Sequence, residues 1–134
     1  MRVLFGPIAG VLLAACAAAD AGQAAFDAET SRLMAALPPG EFVTYMRIAD
    51  ALASNCRTVQ RRRGVPSDQD IRAAVLRSRD GVAPGETVII RVDDPEIIEA
   101  FTEKHGLEDG YGTRACAVAE TEMREQTLIG RLLR

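Results

Sequence analysis

The chain has 134 residues, of which 48% are hydrophobic and 26% are charged. These proportions are those of a globular protein, and they exclude a disordered tail, a collagen-like fibre and a multi-span membrane protein. A chain of this length has room for a single domain. Only 4% of the residues are aromatic and the net charge is −3, so a nucleic-acid-binding surface is not expected.

The first 19 residues have the layout of a secretory signal peptide. Met1-Arg2 supplies one positive charge, and an uncharged, largely apolar stretch follows from Val3 to Ala19. This stretch is shorter than the about 20 apolar residues that a membrane-spanning helix needs. We therefore expect a cleaved leader and an exported, periplasmic protein.

Two cleavage chemistries fit the end of this leader. Leu13-Ala14-Ala15-Cys16 is similar to a bacterial lipobox, in which the cysteine accepts a diacylglyceryl group and becomes the new N-terminus. The alternative is ordinary cleavage after Ala19, which discards Cys16 with the leader. We favour lipidation, because a lipobox requires a cysteine at one position. Ala17 follows Cys16 where an aspartate would favour the inner membrane, so the predicted destination is the outer membrane.

The remaining chain, residues 24–134, is predicted to form one domain that is all-α or nearly so, with four to five helices. A short helix is predicted over 24–37, and it ends at Pro38-Pro39-Gly40. From Glu41 onward, apolar residues at spacings of four and three predict a second helix that ends at Arg61-Arg62-Arg63-Gly64. The predicted buried seam of this helix is Tyr45, Ala49, Leu52, Cys56 and Val59.

A third helix is predicted to begin at a capping box formed by Ser67 and Asp70, and to end near Asp80-Gly81. Its predicted inner face includes Ile71 and Ala74. Residues 86–92 are rich in β-branched side chains, which favour a strand. Since no partner strand is visible in the sequence, we expect an extended segment that lies on the helices.

Two more helices are predicted toward the C-terminus. Asp94-Pro95 begins the first of them with an acidic cap and a proline at the first helical position, and His105-Gly106 ends it. The second runs from about Arg114 to Leu128. The predicted buried residues of the two helices are Ile97, Ile98, Phe101, Ala115, Cys116, Ala119 and Met123.

Two cysteines remain once the leader is removed, Cys56 and Cys116. Both lie on apolar helical faces, and an exported protein folds in an oxidising compartment. The sequence therefore predicts a disulfide between the second and the last helix. A redox-active pair is disfavoured, because the Cys-x-x-Cys spacing is absent.

Candidate catalytic chemistry is sparse in this sequence. His105 is the only histidine, and its place before a glycine is typical of a helix end, so we predict no metal site and no cofactor. The arginines at 61–63 are interpreted as a solvated helix end. Carboxylates such as Glu41, Asp50 and Glu120 could carry acid–base chemistry, although acidic residues on helices are usually solvated.

The C-terminal tail is unusually apolar for a chain end. Ile129, Leu132 and Leu133 share one face if the last helix continues. They either close the protein's own core or form a stripe that binds a partner. We favour the core.

Several segments of the chain are similar to a domain-of-unknown-function family of small exported proteins of Gram-negative bacteria. Members share an early cysteine in an Ile-x-Asp helix, a second cysteine some sixty residues later and an Ile-Gly-x-Leu-Leu-Arg ending. The resemblance implies a helical secreted domain and no particular activity. The segments that carry it are Ile48-Ala49-Asp50-Ala51-Leu52, Asn55-Cys56, Cys116, Ala119-Glu120 and the ending from Thr127 to Arg134.

These observations favour a non-catalytic periplasmic or outer-membrane-attached interaction module. Its expected partner is an envelope protein or another cell-envelope component, with no nucleic acid and with a lipid anchor at Cys16. The alternative is a small envelope hydrolase or transferase that uses carboxylates. A third hypothesis is a membrane-surface protein that uses its arginines.

Overall fold

The computed structural model describes residues 12–79 and 93–134. Over these ranges the chain is all-α, as predicted, with no β-strand. None of the described helices is both long enough and apolar enough to cross a membrane. The helices are α1 (Leu12–Ala35), α2 (Pro39–Asn55), α3 (Asp68–Arg79), α4 (Pro95–His105), α5 (Ala115–Glu125) and α6 (Leu128–Arg131), with a 3₁₀ turn at Gly112–Arg114.

Helix α2 is the centre of the fold, because α3, α4, α5 and α6 all pack against it. Leu52 and Ala49 on its inner face are fully buried. Helix α1 contacts α3 and α6. Burial of this apolar surface is the main force that holds the helices together. The largest fully buried apolar side chains of the core are Met34, Leu52, Leu132, Leu133 and Val65.

Helix α1 is longer than the predicted helix over 24–37, since it already begins at Leu12. Its inner face carries Met34, which is fully buried, whereas Leu33 is 38% exposed. Two guanidinium groups contact the ring of Phe26, and the distances from their central carbons to the ring centroid are 4.6 Å for Arg62 and 5.0 Å for Arg131. These two cation–π contacts dock α1 onto the rest of the domain.

Helix α2 ends at Asn55, and the prediction that it continues to Gly64 is wrong. Cys56 already has an extended backbone, with φ −130° and ψ 115°. Cys56 and Val59 are nevertheless buried, so the apolar spacing predicted their burial correctly although it did not predict the end of the helix. The helix stops because the following residues pair with a distant part of the chain, and such tertiary contacts override helical periodicity.

That distant part is the C-terminal tail. Gln60 and Arg134 exchange two backbone hydrogen bonds of 2.8 and 2.9 Å, and the Arg62 amide donates to the Leu132 carbonyl at 2.8 Å. Arg61 and Leu133 form the isolated antiparallel bridge between the two segments. The backbone groups of the tail are thereby satisfied inside the domain.

Helix α3 begins at the predicted capping box. The Ser67 amide donates to Asp70 Oδ2 at 2.9 Å, and the Asp70 amide donates to Ser67 Oγ at 3.3 Å. Ala74 is buried, whereas Ile71 is 37% exposed, contrary to the predicted inner face. The predicted extended segment over 86–92 lies outside the described residues.

Helix α4 has the predicted bounds. Asp94 Oδ1 accepts a hydrogen bond from the Glu96 amide at 3.0 Å, and Gly106 ends the helix in the left-handed conformation, with φ 59°. Both caps are the expected ones for these residue types. Phe101 is buried, but Ile98 is 40% exposed and does not belong to the core.

The predicted last helix, from about Arg114 to Leu128, corresponds to α5, which ends three residues earlier and is followed by the separate short helix α6. Gln126 adopts a left-handed conformation, with φ 55°, and it ends α5. Thr127 then caps α6, since its side-chain oxygen accepts from the Gly130 amide at 3.1 Å. The break lets α6 fold back onto α5. A Cβ on Gly130 would overlap the backbone carbonyl of Glu122, so the close approach of the two helices requires glycine there.

Cys56 and Cys116 form the predicted bridge, with an S–S distance of 2.07 Å and a Cα–Cα distance of 4.9 Å. The bond joins the end of α2 to the start of α5. Thr58 Oγ1 lies 3.2 Å from the Cys56 sulfur and 3.9 Å from the Cys116 sulfur. The second and last long helices of the core are therefore covalently linked.

Candidate functional site

An open groove of about 490 Å³ lies between α2, α4 and the junction of α5 with α6. Its volume is within the range of about 300 to 1,000 Å³ that is typical of ligand clefts. Phe101 and Ile129 are buried beneath it, and Ile97 and Leu128 are half-buried, so its floor is apolar. The groove is lined by Glu41, Tyr45, Asp94, Glu96, Ile97, Ala100, Phe101, Lys104, Glu122, Thr127, Leu128 and Ile129.

The wall of the groove is acidic. Glu41 lies in the first turn of α2, and Asp94 and Glu96 lie at the start of α4. The Asp94 amide donates to Thr44 Oγ1 at 2.7 Å, and Thr44 in turn donates to the Gly40 carbonyl at 2.7 Å. The acidic start of α4 is thus held against the first turns of α2.

The pKa of Tyr45 reflects the negative charge of this wall. Burial raises the pKa of its hydroxyl, and the carboxylates of Glu41, Asp94 and Glu122 raise that pKa further. A phenolate is disfavoured at this place because it would add negative charge to a region that is already negative. The same field favours a cation in the groove.

Glu122 is the most buried acidic side chain at the groove, with 2% of it exposed. Lys104 Nζ lies 2.8 Å from its Oε1 atom, and His105 Nε2 lies 2.6 Å from the same atom. The Thr127 hydroxyl donates to its Oε2 atom. Burial alone would raise the pKa of Glu122, but the hydrogen bonds from Lys104, Thr127 and His105 outweigh burial and lower it.

This buried cluster, Glu122 with Lys104, His105 and Thr127, has a structural role and holds neighbouring helices together. Both carboxylate oxygens of Glu122 are engaged, and Thr127 Oγ1 also accepts from the Gly130 amide. A hydroxyl that is held in this way is poorly placed to act as a nucleophile. The cluster instead ties α4 to α5 and α6 beneath the groove.

Glu122 is the residue that sequence reasoning missed. The apolar pattern of the last helix includes Ala115, Val118 and Ala119, and Glu122 continues it at the next helical position. A carboxylate on an apolar face requires a buried partner. The single histidine at the end of α4 is such a partner, so His105 does more than end a helix.

The three carboxylates named from the sequence do not come together. Glu41 lines the groove. Asp50 is exposed and pairs with Arg61 Nε at 3.2 Å, and Glu120 is exposed on α5. These positions give no shared site for acid–base chemistry.

The interpretation of the arginines at 61–63 as a solvated helix end is wrong. Arg61 donates to the Val65 carbonyl. Arg62 donates to the Leu133 carbonyl at 2.8 Å and pairs with Asp27 at 3.0 Å. Only Arg63 of the three is exposed. Two of these arginines therefore hold the domain together, because the chain is not helical at this place.

The structure has the tail in the core. Ile129 is 4% exposed, and Leu132 and Leu133 are fully buried. The three side chains are thus covered by the protein's own helices and do not form an exposed stripe for a partner. Cys16, the predicted lipidation site, lies within α1. Its lipidation stays a prediction.

Within residues 12–79 and 93–134, no three His, Cys, Asp or Glu side chains lie close enough to hold a metal ion together. The chain matches no protein-family model, no curated protein and no solved structure.

Proposed function

We propose that the protein is an exported, non-catalytic interaction module whose groove binds a basic, partly apolar segment of an envelope protein. The observation that carries the proposal is the apolar floor of the groove, enclosed by carboxylates from α2 and α4. A segment that carries lysine or arginine beside an apolar residue complements both features.

The negative charge of the groove determines which charge its partner should carry. Glu41, Asp94 and Glu96 form no ion pair with any residue in the described part of the chain. The one cationic side chain of the groove, Lys104, is already shared between Glu122 and Glu125 at 2.8 Å each. An incoming ammonium or guanidinium group thus meets the carboxylates of Glu41, Asp94 and Glu96, whose charge is not compensated by any cationic side chain that the structure describes.

The apolar floor of the groove favours a partner that also carries an apolar side chain. Ile97 and Leu128 are half-buried and pack against the core from the groove side. An apolar side chain of the partner would cover them and release the water that contacts them. A purely polar cation would gain nothing from this floor, so affinity should require both a basic and an apolar residue.

The hydrolase or transferase alternative needs a carboxylate that is able to exchange a proton with a substrate. Glu122 is engaged by three donors, and their hydrogen bonds outweigh burial and lower its pKa, so it is ionised at neutral pH. The groove therefore supports recognition better than catalysis.

Synthetic peptides provide a direct test. An acetylated and amidated peptide of alternating Lys and Leu should bind, and peptides of alternating Glu and Leu or of alternating Lys and Ser should not. Changes in the NMR signals should map to Tyr45, Ile97 and Leu128. Saturation by the Glu–Leu peptide, or shifts confined to another surface, would reject the proposed groove.

Charge reversal in the protein gives the matched comparison. The double variant Glu41→Lys, Glu96→Lys places like charges opposite the peptide and should lower its affinity at least about tenfold. The double variant Glu108→Lys, Glu120→Lys is the control, because it makes the same change in net charge at two exposed glutamates that do not line the groove. Equal loss of affinity in the control would show that net charge, and not the groove, is responsible.

We also propose that the protein is anchored through Cys16. The support is the Leu13-Ala14-Ala15-Cys16 motif at the end of the leader. Cys16→Ala should abolish incorporation of a labelled fatty acid and move the protein from membrane to soluble fractions. An intact mass that places the N-terminus at Asp20 would contradict the anchor.

A further inference from the structure

A second surface differs from the groove in both charge and shape. Among the described residues, three of the four large apolar side chains that are exposed lie on α1 and α3. They are Leu33 at 38%, Ile71 at 37% and Leu76 at 62% exposure. Leu76 is the most exposed of them, and the two helices that carry these side chains pack against each other.

The charged residues of these two helices are unevenly compensated. Arg32, Arg72 and Arg77 are exposed and form no ion pair with any side chain that the structure describes. Of the acidic side chains described on the same helices, Asp27 pairs with Arg62 and Glu29 pairs with Arg131, whereas Asp70 is hydrogen-bonded to Ser67 and keeps its negative charge. Among the described side chains of the two helices, three unpaired arginines thus outnumber one unpaired carboxylate, and the remaining charge is positive.

The outer face of α3 combines the two features. Arg72 and Leu76 are four residues apart, so they are neighbours on the helix surface. Ala74, between them in sequence, is 2% exposed and lies on the opposite, inner face. Cationic and apolar side chains thus point outward together, on the convex surface of a helix rather than in a cleft.

We infer that this arginine–leucine face, formed by Arg32, Leu33, Ile71, Arg72, Leu76 and Arg77, docks on a membrane surface that carries anionic lipid headgroups. Guanidinium groups bind phosphate through two parallel hydrogen bonds. Leucines on the same surface can enter the boundary between headgroups and acyl chains. A convex face suits a lipid surface, which is laterally continuous, better than it suits a peptide.

The position of α1 is consistent with docking through the arginine–leucine face. Helix α1 carries both Cys16 and the start of the arginine–leucine face, and 1.5 Å per residue separates them by about 25 Å. This step alone rests on the proposed lipid anchor. A lipid on Cys16 would hold the face within reach of the bilayer.

The groove is formed by other helices, since none of its lining residues lies on α1 or α3. Helix α4 packs mainly on α2, whereas α3 packs on α1 and α2. Exposed glutamates at 96, 99 and 103 make α4 acidic, so anionic lipids repel it. Docking through α1 and α3 would leave the acidic groove accessible to a partner in the surrounding compartment.

Vesicle binding tests the inference independently of the anchor and of the groove. The exported Cys16→Ala protein, which carries no lipid, is sedimented with phosphatidylcholine vesicles that contain or lack phosphatidylglycerol. Binding should require phosphatidylglycerol and should weaken as salt is raised. Equal binding to both vesicles, or no binding to the anionic ones, would overturn the inference.

Variants locate the binding face. Arg72→Glu with Arg77→Glu should lower the partition coefficient more than about tenfold, and Leu76→Ser should lower it about fivefold. Arg57→Glu with Arg124→Glu makes the same change in net charge at exposed positions on other parts of the domain, and it should change binding less than about twofold. Circular dichroism confirms that each variant is folded. An equal loss in both double variants would reject the arginine–leucine face.

Discussion

His105, the last residue of α4, and Glu122 of α5 are joined by a hydrogen bond of 2.6 Å, with 8% and 2% of their side chains exposed. The His105 ring also packs on Phe101, with 4.8 Å between the ring centroids. This pair fixes the distance between the two helices that enclose one end of the groove. The shape of the groove therefore depends on a buried carboxylate that lies beneath it.

Glu122→Gln should lower the free energy of unfolding by about 1.5–3 kcal/mol, the usual value for hydrogen bonds to a charged group. A larger effect is not expected, because Lys104 keeps its contact with Glu125. Chemical denaturation at neutral pH measures the difference. Glu125→Gln is the control, since that residue is exposed and should contribute less than about 1 kcal/mol.

The contribution of Glu122 should also depend on pH. Its pKa is lower in the folded state than the ordinary value of 4.5. A depressed carboxyl pKa stabilises the fold at pH values above the unfolded pKa, and this stabilisation is lost as the pH falls through the folded pKa. The difference between wild type and Glu122→Gln should therefore shrink below about pH 4.5. A difference that stays constant down to pH 2 would contradict an ionised Glu122.

Gly130→Ala should destabilise the domain by at least about 3 kcal/mol, because the added methyl group meets a backbone carbonyl that cannot rotate away. Gly40→Ala is the matched control. Nothing lies within 4 Å of a Cβ at Gly40, which is in α2, so alanine should stabilise the helix by about 0.5 kcal/mol. Equal melting temperatures for the two variants would disprove the close packing of α6 on α5.

Loss of the disulfide should cost about 4 kcal/mol by the chain-entropy model for a loop of 60 residues. The double variant Cys56→Ser, Cys116→Ser should therefore unfold at a much lower denaturant concentration than the oxidised protein. Mapping of peptides without reduction identifies the bond directly. Two thiols that react with an alkylating reagent in freshly prepared, unreduced protein would contradict it.

Phe26→Ala should loosen α1 from the domain and cost about 1–3 kcal/mol, because it removes apolar contact and two cation–π interactions. Faster hydrogen exchange should be confined to α1 in native conditions. Arg32→Ala provides the comparison on the same helix, since Arg32 is exposed and should change stability by less than about 0.5 kcal/mol. Unchanged exchange in Phe26→Ala would show that α1 is held by other contacts.

Features that depend on neighbouring residues could be predicted from the sequence. The capping box at Ser67, the Asp94 cap and the glycine after His105 mark helix ends within a few residues of chain, and the structure has all three. The end of α2 could not be predicted, because it depends on pairing between Gln60 and Arg134. Nothing local at Asn55 distinguishes that ending from continued periodicity.

The groove was beyond sequence reasoning for a related reason. Its wall and floor come from three separate parts of the chain, and their relative position is set by packing. The cluster beneath it could have been suspected, because Glu122 falls on the apolar face of α5. What could not be foreseen is that His105 and Lys104, on another helix, supply the compensating hydrogen bonds.

The bridge between Cys56 and Cys116 has a consequence for a chain that has been cut by a protease. Any single cleavage between Arg57 and Ala115 opens the backbone but leaves both fragments covalently joined. The pairing of Gln60 with Arg134 adds a second tie as long as the cut falls beyond Gln60. A protein nicked in this way keeps its mass on a gel without reductant and separates into two fragments only when the bond is reduced.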